Sequence, residues 1–156
     1  MPWPGQIDSV ASRSSSRCAG WTEAIWPGHG TQAFRLRDLR EAGVRLALGS
    51  DAPVAPLDPW LAMAAAVHRS ADERPAWHPS QQLQPREALA ASTDGIASLG
   101  IGGPADVVLL EEDVFDDVPH GDDGLMVEAA SREAAARLRE VEPLATAVAG
   151  RLEAQR

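Results

Sequence analysis

Ala42-Gly43-Val44-Arg45-Leu46-Ala47-Leu48-Gly49-Ser50-Asp51-Ala52-Pro53-Val54-Ala55-Pro56-Leu57-Asp58-Pro59-Trp60 is the stretch from which the fold of this chain is read. Val44, Leu46 and Leu48 alternate with other residues, the period of a strand with one face buried. Gly43 ahead of them suits the residue just past a helix, where a left-handed backbone is needed. Gly49-Ser50-Asp51 stops the strand, Pro53 and Pro56 form a turn, and Asp58-Pro59 reads as an N-cap followed by a proline in the first helical position. The order is helix, strand, loop, helix. In such βα arrangements the residue at the carboxyl end of the strand faces the place where ligands bind, and here that residue is Asp51. A carboxylate there has two readings from spacing alone: it caps the turn that follows, or it serves as a metal ligand or general base.

Outward from this stretch the pattern stays regular. Upstream, Thr31 is a candidate cap for a helix carrying Phe34, Leu36, Leu39 and Ala42. Downstream, the helix begun at Asp58-Pro59 runs through Leu61, Met63, Ala64 and Val67 to about Arg69, and a polar loop spans Ser70 to Gln84. Pro85 opens another helix with Glu87 in its first turn, where negative charge is favoured. Gly100, Gly102, Gly103 and Pro104 break that helix. Ala105 to Leu110 then reads as a buried strand, because its apolar run is nearly continuous. Ala129 to Glu140, rich in alanine and arginine, is expected to be helical, and Leu144 to Leu152 is a short strand or hairpin with its turn at Gly150.

Length and composition narrow the function classes. The chain has 156 residues, with 14 basic and 23 acidic side chains and a formal charge of −9. All the basic residues are arginine. An acidic chain is poorly suited to non-specific nucleic-acid binding, which depends on cations neutralising phosphates. The longest apolar run, Trp60 to Val67, is far below the ~20 residues of a membrane span. With one cysteine, Cys18, no internal disulfide exists. No nucleic-acid partner, no membrane span and a cytoplasmic location are therefore expected. Residues 1–25 are irregular, with a Ser- and Arg-rich run at 12–17, and disorder is expected for most of 1–20.

Several segments together resemble a known family. Gly49-Ser50-Asp51-Ala52-Pro53-Val54-Ala55-Pro56-Leu57-Asp58-Pro59 is similar to the eighth-strand signature of metal-dependent amidohydrolases, in the branch that holds N-acyl-amino-acid and N-substituted-formamide hydrolases. Glu41-Ala42-Gly43 matches the end of the preceding family helix. Glu87-Ala88-Leu89, Gly103-Pro104-Ala105-Asp106-Val107-Val108-Leu109 and Thr146-Ala147-Val148-Ala149-Gly150-Arg151 resemble later family segments, in the same order. The resemblance runs from about Trp26 to Arg151.

What the resemblance implies is an α/β fold: a partial (β/α)8 (TIM-barrel) C-terminal unit plus strands of a small β-sandwich domain. The implied division is 1–25 irregular, 26–100 the last barrel βα unit and following helices, and 101–156 the C-terminal strands and helix of the sandwich region. A complete barrel needs about 250 residues, so the resemblance covers only its end. The implied activity is hydrolysis of a non-peptide C–N bond in a small amide-type substrate. In the family a divalent metal, usually zinc, activates water, and the strand-eight carboxylate both binds metal and carries the proton. That dual role falls on Asp51. The family's His-x-His pair and its metal-bridging lysine have no counterpart here, and His29, His68, His78 and His120 lie outside the family's ligand slots. The isolated chain is thus expected to be inactive, with a missing N-terminal barrel part as its partner. The alternative is a non-catalytic association module or one half of a split enzyme.

Glu111, Glu112, Asp113, Asp116, Asp117, Asp122 and Asp123 lack the order of a calcium loop and read as a solvated acidic loop. Cys18 beside Arg17 has no partner motif and reads as incidental.

Overall fold

The computed structural model describes residues 24–29, 32–50, 52–53, 55–70, 74–96 and 98–155. The expectations for residues 1–20, for Thr31 and for Cys18 lie outside that set, and so does Asp51. Among the described residues the principal helices are α1 (Leu36–Glu41), α2 (Pro59–His68), α3 (Pro85–Ser92) and α4 (Glu128–Arg139). A 3-10 turn spans Pro79–Gln81, and strands β1 (Val107–Leu109), β2 (Ala145–Val148) and β3 (Arg151–Gln155) complete the order.

The start of α2 follows from its sequence. Asp58 is extended, its Oδ1 accepts from the N–H of Trp60 at 2.9 Å and of Leu61 at 3.4 Å, and Pro59 fills the first helical position. This satisfies N–H groups that have no partner inside the helix. Ala62, Met63, Ala64, Ala66, Val67 and His68 are all buried. A helix so apolar around its circumference belongs at the centre of a core rather than on its surface. It packs against α4 on one side and α3 on the other. Leu36, Leu46, Leu83, Ala88, Val114, Phe115, Met126, Ala134, Ala135 and Leu138 close around it. The small residues Ala134 and Ala135, 1% and 0% exposed, let α4 lie close against α2.

The acidic loop is not purely a solvated one. Its carboxylates are exposed, but Val114, Phe115 and Val118 between them are buried. Phe115 stacks on Trp60 with centroids 6.3 Å apart. Gln84 fastens the same loop, because its side-chain amide donates to the Val118 carbonyl at 2.9 Å and accepts from the Val118 N–H at 2.8 Å.

The C-terminal strands form one antiparallel sheet in the order β1-β2-β3. The β2–β3 turn is Ala149-Gly150, with φ of 49° and 75°. Two successive positive values are what a tight hairpin of the primed type requires. The Gly150 N–H reaches back to the Ala105 carbonyl at 2.8 Å, and the Ala149 N–H is taken by Asp106 Oδ1 at 2.7 Å.

Three expectations need correction. Residues 44–48 form no strand: Ala47 alone makes a bridge. A ladder needs strands on its flanks, and no strand among the described residues supplies one. The segment still sends Leu46 into the core, and its Leu48 N–H bonds to the Ala91 carbonyl at 2.9 Å. Strand 105–110 is shorter than expected and not buried, since Val108 and Leu109 are 48% and 55% exposed. A nearly continuous apolar run implies burial on both faces, whereas no layer covers this one among the described residues. Helix α1 begins at Leu36, with Arg35 as its N-cap and Phe34 held at a φ of 55° ahead of it. Gly43, at φ 78°, does follow the helix as its spacing implied.

Candidate functional site

Around Asp51 the chain passes from the irregular 44–50 segment into the loop that leads to α2. Ser50 and Ala55, on either side of it, are buried, and Ala52 and Pro53 are exposed. The loop ends in the Asp58 cap. Asp51 itself is not among the described residues, so its side chain carries no geometry here.

The histidines do not gather at this loop. His29 is exposed in the 24–29 segment, and His120 is exposed in a bridge with Met126. His78 is half-buried, with a φ of 54°, against the edge of Trp77 at 4.5 Å between centroids. Among the described residues no three His, Cys, Asp or Glu side chains converge on a point that could hold a metal ion. A catalytic zinc takes three protein ligands and leaves one position for water. The described donor set does not fit such a centre.

His68 is the most constrained of the four. It is fully buried at the end of α2, with Nε2 3.1 Å from the Arg74 carbonyl and Nδ1 3.1 Å from Ser131 Oγ. A carbonyl only accepts, so Nε2 carries the hydrogen, while the Ser131 Oγ beside Nδ1 is also 3.0 Å from the Glu128 carbonyl, and its single hydrogen serves one of these two acceptors at a time. Ser131 Oγ in turn accepts from Gln82 Nε2 at 3.1 Å, and the same nitrogen donates to the His68 carbonyl at 3.3 Å. Burial is the main cause holding the His68 pKa below its usual value, reinforced by Arg132 and Arg139 and opposed by the Arg74 carbonyl and Glu128. A serine–histidine pair suggests a nucleophile, but both residues are 0% exposed. With both ring nitrogens occupied and no route for substrate, the network fastens α2 to α4.

Glu87 is a second anchor. Its carboxylate takes Arg37 through two bonds at 3.0 and 2.7 Å, Arg40 at 3.2 Å, and the Gln84 N–H at 2.8 Å. Burial pushes its pKa up, yet these donors outweigh that effect and hold it below the ordinary value. Arg37 also donates to the Gln82 carbonyl at 2.8 Å. One carboxylate thereby ties α1 to the start of α3. The sequence offered Glu87 only as a favourable charge in a first turn. Its arginine partners, Arg37 and Arg40, sit 50 and 47 residues upstream, and no local pattern announces them.

No helix among the described residues is long and apolar enough to cross a membrane. Comparison with curated proteins and with solved structures gave no match. A family model described as the amidohydrolase family matches residues 18–152, a span that contains Asp51 and reaches past the Ala149-Gly150 turn into β3. With most of its length matched in this way, the chain belongs to the amidohydrolase family.

Proposed function

We propose that this chain is the C-terminal part of a hydrolase that cleaves non-peptide C–N bonds in small amide-type substrates, of the kind found in N-acyl amino acids and N-substituted formamides. The observation that carries the reading is the family match over residues 18–152. The motif order within it adds support: the Asp51 loop, Glu87 and the Thr146–Arg151 strand motif fall in the family's sequence. In this reading the architecture is the last unit of a barrel with strands of a small sandwich, and the region divides near residues 25 and 100.

Asp51 is the residue of this chain that meets the reacting centre, as metal ligand and proton carrier. The family's divalent metal, zinc in the first instance, supplies the activation of water. One carboxylate cannot hold zinc, so the remaining ligands belong to a barrel portion supplied from elsewhere, and the chain alone is inactive. The experiment is to purify the 156-residue chain, measure zinc by elemental analysis, and assay amide hydrolysis with an N-acyl amino acid panel. Less than stoichiometric zinc and no turnover are expected. Stoichiometric zinc with turnover that survives Asp51→Asn would overturn the assignment.

A second reading is favoured by the exposed Val108, Leu109, Val148 and Leu152 on the sheet: the chain is an association module or one half of a split enzyme. Open strand edges and apolar faces favour pairing with another chain. Co-expression with an N-terminal barrel portion separates the two. Turnover only in the mixture identifies a split enzyme, and a complex without turnover identifies a module.

A further inference from the structure

Arg69 is a buried cation with no counter-charge among the described residues. It ends α2 in the left-handed conformation at φ 60°, and only 9% of its surface is exposed. Its Nη2 donates to the Phe34 carbonyl at 3.2 Å, while its Nε is buried without a hydrogen-bond partner. No carboxylate among the described residues pairs with it. Burial draws its pKa down to about 10, which leaves the guanidinium charged at neutral pH.

One aromatic ring faces the charge, and two more rings pack on that one. The guanidinium carbon lies over the Trp77 ring, 5.7 Å from its centroid. Trp77 meets Phe34 edge-on at 5.6 Å and His78 at 4.5 Å. The face of an indole attracts a cation, but this offsets only part of the cost of burying an unpaired ion. His78 supplies no negative charge, and its pKa is held below the usual value by burial and by the charge of Arg69. The site thus holds a largely desolvated positive charge with an unused Nε–H donor and the Trp77 ring against it. A planar carboxylate matches a guanidinium edge, and the rings suit an organic group attached to it.

We propose that Arg69, Phe34, Trp77 and His78 form a recognition site for a small organic carboxylate. The site is independent of the hydrolase reading, and its test reads binding rather than turnover. A bound carboxylate compensates Arg69, and the repulsion that Arg69 exerts on His78 then weakens.

The test is an NMR titration of the full chain with sodium propionate, sodium benzoate, sodium phosphate and sodium chloride at one ionic strength. The His78 ring proton, assigned by its loss in His78→Gln, reports the pKa, and the Trp77 indole N–H reports contact. Saturable shifts are expected with benzoate and propionate, accompanied by a rise in the His78 pKa. Arg69→Gln abolishes both, and Arg69→Lys, which keeps the charge but not the planar fork, weakens binding several-fold. If Arg69→Gln does not fold, the lysine variant and the anion ranking still decide. Equal responses to chloride and propionate, or tighter binding of phosphate than of either carboxylate, overturn the proposal. So does a fall in the His78 pKa of Asp72→Asn or Glu73→Gln without added anion, because the counter-charge would then be the chain's own.

Discussion

The helical core and the terminal sheet are built on opposite terms. Helix α2 has Ala64, Val67 and His68 at 0% exposure and is closed in by α3, α4 and the 114–118 loop. Strand β3 is exposed at every position, and the sheet carries Val108, Leu109, Val148 and Leu152 into solvent. One region buries what its sequence made apolar; the other displays it. Similar residue types therefore do different work. In the core they stabilise by leaving water and filling space. In the sheet they add β-propensity to hydrogen-bonded ladders and leave an apolar surface open.

Truncating the core tests this contrast most strongly. Leu138→Ala in α4 is expected to cost about 2–5 kcal/mol by urea unfolding, since Leu138 is fully buried. A loss below about 1 kcal/mol would show that α4 does not close the core. Next comes Glu87→Gln, which leaves Arg37 and Arg40 without their carboxylate and is expected to cost about 2 kcal/mol. The depressed pKa of Glu87 makes its contribution full above the unfolded glutamate value, and it is lost as pH falls through the folded value. Acid unfolding of the variant should accordingly begin from a lower plateau and show a shallower slope.

A gentler effect is expected at His68. Its folded pKa lies below its unfolded value, so the neutral ring stabilises the fold above the unfolded value of about 6.5. That contribution is lost as pH falls toward and through the folded value. Unfolding free energy measured between about pH 7 and pH 5 should thus decline in the native chain, and decline less in His68→Gln. An identical slope in both would remove His68 from the acid response. At the small end, Leu152→Ala on β3 should change stability by no more than about 0.5 kcal/mol, with amide exchange of the sheet faster than that of α2. A cost near that of Leu138→Ala would mean that the sheet is covered in solution and that the contrast between the two regions fails.

What could be read in advance follows the range of the forces involved. The Asp58-Pro59 start of α2, the Pro85 start of α3 and the tight turn at Ala149-Gly150 are set by neighbours along the chain, and these were legible. The reading of 44–48 as a strand failed because a ladder is a property of flanking strands, which alternation in a single segment cannot provide. The burial of β1 was misjudged for a related reason: an apolar run states a preference, and only another layer satisfies it. Of the candidate site, the motif around Asp51 falls within the family span 18–152, and Asp51 itself lies outside the described residues. The His68–Ser131–Gln82 network and the burial of Arg69 against Phe34 and Trp77 were not legible, because each depends on side chains meeting across stretches of chain.

The packing of α2 against α4 has a consequence for how the chain is made. His68 and Ser131 are 63 residues apart, and translation delivers residues in order, at roughly 5–20 per second. Helix α2 therefore leaves the ribosome several seconds before the helix that covers it. During that interval Ala62, Met63 and Val67 lack their final neighbours on the α4 side. The nascent chain is expected to be a client for holding chaperones until residue 139 has emerged, and a pause in translation between the two helices would lengthen its exposure to aggregation.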